Sequence, residues 1–420
     1  MSITERMAAI HIDSAAANNR GDGATAGTAW RDAEELTRRL GRGTAWFRQP
    51  TTITYHGNTI DPDAARFDAV IGNNSNLTLQ GVASVVASGT LTNFTAFNRT
   101  PGSEALNLVE ATGLSGGFAA HAGRYMRISG GARAGNGWWI HESFGTSASI
   151  STPGTIPFPF ISTGFTRATP QAGDPFEIVT YPVVHCADWR FGSGDNQVVF
   201  GGAGFNQVNV QDIELDFGGE NTGLQHDTGS AISSTVTGVF FRRCNIWTPS
   251  IFAGSGFTQF YQCNFRGNTV VLSGLLVRFV ACRHKDNTAS LAVRGGSNAV
   301  LDFDDLFDAS AIFCVDRGSV VVGTACIFNR GADRVVLIDP GCQVWLTQVS
   351  TEIPALWGTN NPTHGVTVGA GARLIVDAGS SVTVNKTLGA GREMLVGGQD
   401  VLYSQINGSI TNNGATVAFL

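Results

Sequence analysis

Two residue types recur together at one interval in this chain, and that recurrence limits the folds open to it. Cys244, Cys263 and Cys282 are spaced by 19 residues, and Phe241, Phe260 and Phe279 precede them by three residues each, within FRRCN, FYQCN and FVACR. Asn245 and Asn264 follow the first two cysteines, and Arg283 stands in the third place. Further on the interval loosens: Gly296, Gly318, Gly341 and Gly371 each open an apolar run, at spacings of 22, 23 and 30. A period near 20 in β-type sequence is what a solenoid coil produces, because one coil cannot bury its own inner face and like residues ladder when coils stack. A β-sandwich is the alternative, with hairpins every ~8 to 12 residues, but it gives no reason for Cys and Phe to recur together. The expected fold is therefore all-β, a right-handed parallel β-helix, with about nine coils between Val183 and Val384 and a rise of ~4.8 Å per coil.

Composition agrees with a β-rich, weakly charged surface. The 420 residues include 42% hydrophobic but only 14% charged ones, 53 glycines and a net charge of -6. That is enough apolar sequence for a large core, and it excludes a disordered chain. It also lacks the basic footprint of a nucleic-acid binder. The opening MSITERMAAIHID has no apolar stretch of secretory length, and no run of roughly 18 apolar residues suggests a membrane span, so synthesis in a cytoplasm without membrane insertion is expected. Seven cysteines without a CxxC pair point to buried reduced thiols rather than a disulfide framework or zinc ribbon. Arginine outnumbers lysine 25 to two, which says little about function.

One short helix is legible. Arg31 to Leu40 places Ala33, Leu36 and Leu40 on one face, with Asp32, Glu34 and Glu35 early and Arg38 and Arg39 late, as the helix dipole favours. It reads as a cap. From Phe47 onward short β runs alternate with Gly, Asn, Asp and Ser turns, as in Asn76 to Val86 and Gln207 to Phe217. In the second run Val208 and Val210 share a face, then the parity slips to Ile213, Leu215 and Phe217, which fits a corner or a bulge. The stretch around GRYMRISGGARAGNGWWI has another texture and reads as a small antiparallel β module inserted in the solenoid. The expected division is 1–45 arm and capping helix, 46–104 first coils, 105–183 inserted module, 184–395 main β-helix, and 396–420 C-terminal strands that close the last coil or contact a sister chain.

Few residues offer chemistry. With Ile213, Leu215 and Phe217 inward, Asp212, Glu214 and Asp216 would face outward on one strand at i to i+2 separations of about 6.5 to 7 Å, within the range of an inverting glycosidase pair. Glu220, His226 and Asp227 lie nearby in sequence, while no Arg or Lys does. The alternative is a solvated strand face. Asp302, Asp304 and Asp305 form a second acidic set that would join the first only if the coils align them. The cysteine column reads as small core hydrophobes rather than a soft-metal site, and His185 and His284 as corner residues. RISGGARAGNG lacks GxxxxGK[ST] and reads as a turn between strands, not a phosphate cradle. Trp138 and Trp139, with Phe158 and Phe160, are candidates for an aromatic platform that binds a sugar ring or partner protein; the alternative is the core of the inserted module. No metal site and no cofactor is called for.

The order of parts resembles β-helical virion proteins of tailed bacteriophages, the tail-spike, fibre and decoration group related in fold to pectin lyases. The resemblance is carried by GDGATAGTAWRDAEELTRRL (Gly21 to Leu40), where Ala26 stands in place of the usual Pro, by the rungs NLTLQG and VNVQDIELDF, and by the module sequence ending in GDPFEIV. It implies a homotrimer in the virion, contacts with other capsid, tail or baseplate proteins, and contact with a host surface glycan or a purely architectural role. The expected function is a structural spike, fibre or decoration protein; the alternative is a tail-spike glycoside hydrolase acting on host polysaccharide through a pair drawn from Asp212, Glu214 and Asp216.

Overall fold

The computed structural model describes residues 8–32, 34–40, 45–47, 49–57, 59–60, 66–69, 76–97, 106–144, 147–153, 171–185, 188–191, 207–217, 223–226, 238–247, 250–253, 257–266, 269–272, 276–285, 290–302, 305–307, 311–314, 318–324, 327–328, 334–338, 342–347, 365–368, 373–377, 381–384, 395–397, 400–402, 409–413 and 416–419.

The 19-residue interval is one turn of a three-sided coil. Gly238–Arg242 is followed by Asn245–Trp247 and Ser250–Ala253. The next coil repeats the order with Phe257–Tyr261, Asn264–Arg266 and Thr269–Leu272. Equivalent strands pair in parallel and in register, Phe241 with Phe260, Phe260 with Phe279, and Asn245 with Asn264. Among the described residues these strands gather into parallel faces of fourteen, twelve and eight strands, and the fourteen-stranded one ends in an antiparallel hairpin, Leu395–Gly397 with Asp400–Leu402. The chain is a parallel β-helix.

In-register stacking turns the sequence repeat into columns. Phe241, Phe260 and Phe279 are stacked at centroid distances of 4.7 and 5.2 Å, and Phe265 meets the latter two edge-on. Cys244, Cys263 and Cys282 are buried at the first corner, where Cys244 Sγ donates to Val210 O at 3.5 Å and Cys282 Sγ to Phe260 O at 3.4 Å, each on the coil before. A thiol is small enough for a tight corner and still offers a weak donor to a carbonyl there. Burial holds the Cys263 thiol well above the ordinary cysteine range, with its cysteine neighbours adding to the effect, so that thiol stays protonated. His284, expected at a corner, instead continues the interior: it stacks on Phe265 at 4.8 Å and 8°, and burial pushes its pKa down to about 3.

In four successive coils the corner is made by one left-handed residue each. Asp212, Arg243, Gln262 and Ala281 have φ of 57, 53, 52 and 51°, none of them glycine. Each stands directly before the buried Ile213, Cys244, Cys263 or Cys282. The parity slip between Val210 and Ile213 is this corner. A left-handed conformation costs an L-residue roughly 1 kcal/mol or more, and here stacking over-determines it: Arg243 N donates to Tyr261 O and Gln262 N to Val280 O, both at 2.9 Å.

The antiparallel module enters at that same corner. Asn76–Gly81 pairs with Gln207–Gln211, and Val183–His185 with Glu214–Asp216, so the two segments belong to one coil whose first corner is opened by 82–182. Within the opening, seven strands form an antiparallel sheet that begins with Ser84–Thr90, Asn93–Phe97 and Leu106–Thr112. The expected boundaries therefore shift. Asn76 to Val86 is not one rung, since Gly81 ends the rung and Ser84–Thr90 pairs antiparallel with Pro175–Thr180. Gly81 marks the change because a Cβ there would stand 2.0 Å from Asp212 O. At the other ends, Ala9–Asp13 in the expected arm is already a rung paired with Thr51–His56, and Ser409–Asn413 and Thr416–Phe419 in the tail add parallel strands. The helix spans Glu34–Leu40, with Leu36 buried and the carboxylate of Glu35 held by Arg38 and Arg39.

Candidate functional site

The three carboxylates singled out by sequence lie at and just after the first corner, but not on one strand face. Asp212 is the left-handed corner residue, whereas Glu214 and Asp216 alternate on Glu214–Asp216 with Leu215 buried between them. Each takes a different partner, and the partners come from adjacent coils. Arg243 Nε and Nη2 donate to Asp212 Oδ1 and Oδ2 at 2.7 and 2.6 Å, a two-pronged pair. Trp247 Nε1 donates to Glu214 Oε1 at 2.8 Å. His185 Nδ1 lies 3.0 Å from Asp216 Oδ2. Burial disfavours the Arg243 cation, but the Asp212 carboxylate outweighs it and holds the guanidinium protonated above its ordinary range.

Parallel register fixes a short polar column on the eight-stranded face. His185, Asp216, Trp247 and Arg266 are successive register partners, one per coil. The Arg266 guanidinium lies 3.9 Å from the Trp247 ring centroid, a close cation–π stack. His185 and Asp216 are about one-third exposed. The column thus presents an imidazole–carboxylate pair beside an indole whose edge is bound to Glu214. Glu214 and Asp216 are thus bound to an indole N–H and an imidazole, whereas Asp212 is tied into a salt bridge with Arg243.

The remaining sequence candidates fall elsewhere. Trp138 and Trp139 do not form an exposed platform: their side chains are 3% and 6% exposed. Alternation on an antiparallel strand sends them to opposite faces of the module sheet, and both faces are covered. Trp138 packs with Phe118, Met126, Phe176 and Ile178, while Trp139 meets Tyr125 and Tyr181 edge-on. Phe158, Phe160, Glu220, Asp227 and Asp304 lie outside the described residues, as do Cys186 and Cys326, and only the backbone of His226, Asp302 and Asp305 is described. Register puts Asp305 in the column of Glu214, through Asn245, Asn264 and Arg283, four coils and ~19 Å away. The two acidic sets are aligned but too far apart to act together. The Gly-rich stretch is a turn between the antiparallel strands Tyr125–Ile128 and Gly137–Phe144, where Arg133 pairs with Asp174 at 2.8 Å. No cluster of three or more His, Cys, Asp or Glu among the described residues is placed to hold a metal, and no described helix is long and apolar enough to cross a membrane.

A second constellation, unmarked in the sequence, joins module to rod along the corner column. Gln262 stands at its centre: Tyr125 OH donates to its Oε1 at 3.2 Å, its Nε2 donates to Gly137 O at 3.2 Å, and Trp139 Nε1 donates to its backbone carbonyl at 2.6 Å. One coil on, Arg283 Nη1 donates to Ile140 O at 2.9 Å. Tyr181 fills the space between Tyr125, Trp139 and the corner, and burial raises its hydroxyl pKa well above the ordinary tyrosine value. The signal that finds these residues is the period itself. Aligning Ile213 with Cys244, Cys263 and Cys282 stacks Arg243 on Asp212, puts Gln262 next at the corner, and sets Arg283 in the asparagine column.

Comparison with known proteins gives only distant likeness. The tailspike protein gp49 of Pseudomonas phage LKA1 is 12% identical with a TM-score of 0.25, over 81% of this chain and 64% of that one. The tailspike gp61 of Pseudomonas phage phi297 is 9% identical with a TM-score of 0.28, over 90% of this chain and 64% of that one. The chain thus spans less than two thirds of the length of each. No protein-family model matches the sequence, and no curated protein does.

Proposed function

We propose that this protein is a structural component of a bacteriophage virion, a trimeric β-helical spike, fibre or decoration protein on tail or capsid. The observation that carries this reading is the way the sequence is spent: three successive rungs repeat the same interior residues in register, and the inserted module is fastened to the rod by hydrogen bonds from Gln262 and Arg283. Such a column of like residues makes a stiff rod with an appended module, which suits a projecting virion part. The phage resemblance of Gly21 to Leu40 points the same way. Mass spectrometry and cryo-electron microscopy of purified particles test it: the chain is expected in stoichiometric amounts, and its absence from particles overturns the reading.

A second reading is kept because Glu214 and Asp216 share one strand face beside Trp247 and Arg266. On that reading the column binds a host surface polysaccharide and the two carboxylates hydrolyse it as general acid and base. Release of reducing ends from host capsule or lipopolysaccharide, abolished by Glu214→Gln with the fold retained, is the expected result. No cleavage across a panel of host glycans removes the hydrolase.

A further inference from the structure

Two histidines join the terminal rung of the fourteen-stranded face to the next. Ala9–Asp13 is the end strand of that face and pairs on one side with Thr51–His56. On its other side 21–30 folds over it: His11 N donates to Gly23 O at 2.8 Å, Trp30 N to His11 O at 3.0 Å, and Asp13 N to Trp30 O at 2.7 Å. Ile10 and Ile12 are buried, so alternation sends His11 outward, where it and His56 are half-buried. His11 Nδ1 and His56 Nε2 lie 2.9 Å apart. The ring centroids are 5.2 Å apart, farther than the nitrogens by the full radius of both rings, so the two nitrogens face each other on the line of centres. That is the straight geometry of an N–H···N hydrogen bond, not of two ligands converging on a cation.

Such a contact depends on the number of protons it holds. While at least one ring is neutral, one nitrogen donates and the other accepts; once both are protonated the acceptor is gone and two cations face each other in contact. The groups around the pair do not offset this. On the same strand Asp13 stands in register with His56, and its Oδ1 accepts from Ala15 N at 2.9 Å. In the covering turn Asp22 Oδ1 accepts from Thr28 Oγ1 at 2.6 Å and from Ala24 N at 2.9 Å. On the next two rungs the facing side chains are neutral, Thr54 accepting from Gln80 Nε2 at 3.2 Å. No carboxylate among the described residues bonds to either ring. Burial and then the charge of His56 hold His11 below the ordinary histidine range. We propose that His11 and His56 form an acid-sensitive latch: protonation of both rings breaks their hydrogen bond and loosens Ala9–Asp13 together with the 21–30 turn that covers it. Loosening bares the backbone edge of Thr51–His56, so the closure of this end of the rod is set by pH.

The latch does not depend on the virion reading. Hydrogen exchange of the full chain, read by mass spectrometry and corrected for the intrinsic effect of pH on exchange, tests it. From about pH 7.5 to about pH 5 the protection of Ala9–Asp13 is expected to fall roughly tenfold relative to that of Gln207–Gln211, the effect of opposing one protonation by about one pKa unit. His11→Gln, which cannot take up the second proton, is expected to hold the ratio constant. An unchanged ratio in wild type, or the same fall in His11→Gln, overturns the proposal. Should His11→Gln leave the rung unprotected at neutral pH, His56→Gln is measured in its place and has to hold the ratio constant. Nuclear magnetic resonance of wild type carrying labelled histidine gives a second readout: two of the eight imidazoles are expected to titrate in linked, separated steps, and independent titration of every imidazole overturns the latch.

Discussion

Phe260→Ala tests whether the interior columns hold the rod together coil by coil. Phe260 is 1% exposed and lies between Phe241 and Phe279, stacked on them at 4.7 and 5.2 Å, with Phe265 edge-on at 5.1 Å. Truncating a buried phenylalanine costs about 3–5 kcal/mol through lost transfer energy and the cavity left behind. Three ring pairs are lost as well, each worth ~0.5–1.5 kcal/mol beyond buried area, which places the expected loss near the top of that range. A neighbour-only column predicts more than a large single value. The double variant Phe241→Ala/Phe260→Ala removes adjacent rings, and its coupling energy is expected at ~1 kcal/mol; Phe241→Ala/Phe279→Ala removes rings about 10 Å apart and should be additive within ~0.5 kcal/mol. Urea titration followed by tryptophan fluorescence gives the midpoints. A loss below ~1 kcal/mol for Phe260→Ala, or equal coupling for the two pairs, refutes the column as a chain of nearest-neighbour contacts.

Three further outcomes follow from single residues. His284 is held neutral by burial, with its pKa at about 3 against 6.5 for an ordinary histidine; the unfolded chain therefore binds an extra proton between those pH values, and stability falls as pH drops through that window by up to a few kcal/mol. His284→Phe keeps the stack on Phe265 and should flatten the midpoint-versus-pH curve between pH 7 and 4; an unchanged slope excludes His284 as the source. Gln262→Leu removes the side-chain acceptor of the Tyr125 hydroxyl and the side-chain donor to the Gly137 carbonyl at a cost of about 1–3 kcal/mol, and hydrogen exchange should speed up in Tyr125–Ile128 before the rod opens, whereas unchanged protection there dismisses the docking role. Ala281, with φ of 51°, should accept Ala281→Gly with no loss of stability and lose about 1 kcal/mol or more as Ala281→Val; equal melting temperatures for the two variants would show that the corner is not strained.

The rod was legible because its signal is redundant. Cys and Phe at one interval specify both the coil length and the interior, and the structure places those six side chains in two stacked columns. The antiparallel texture around Tyr125 to Ile140 was legible too, but the place where it joins was not, since alternation runs through Asn76 to Val86 and only the pairing of Ser84–Thr90 with Pro175–Thr180 separates rung from module. A period-2 pattern records which face is buried, not which strand is the neighbour.

The site residues were hidden for a related physical reason. Along the chain Asp212, Glu214 and Asp216 look alike, three acids alternating with apolar residues and no cation nearby. What distinguishes them is the coil above and below: Arg243 on Asp212, Trp247 on Glu214, His185 on Asp216, at sequence separations of 31, 33 and 31. In a solenoid the chemistry of an outward residue is set by its column, so candidate groups have to be sought at the coil period rather than at strand spacing. By that rule the corner column, Asp212, Arg243, Gln262 and Ala281, is one continuous feature, and it is where the chain opens to admit 82–182. The insertion sits there because the turn before Glu214–Asp216 is made by a single residue whose neighbours on adjacent coils already hold the ends together. Val82 N donates to Tyr55 O at 3.0 Å and Glu214 N to Pro182 O at 2.9 Å, so the two ends of a hundred-residue excursion keep the hydrogen bonds of an ordinary corner. A module added this way lengthens one loop and leaves the strands on either side of it in parallel register with the next coil, so the rod can carry it without a break in either the phenylalanine or the cysteine column.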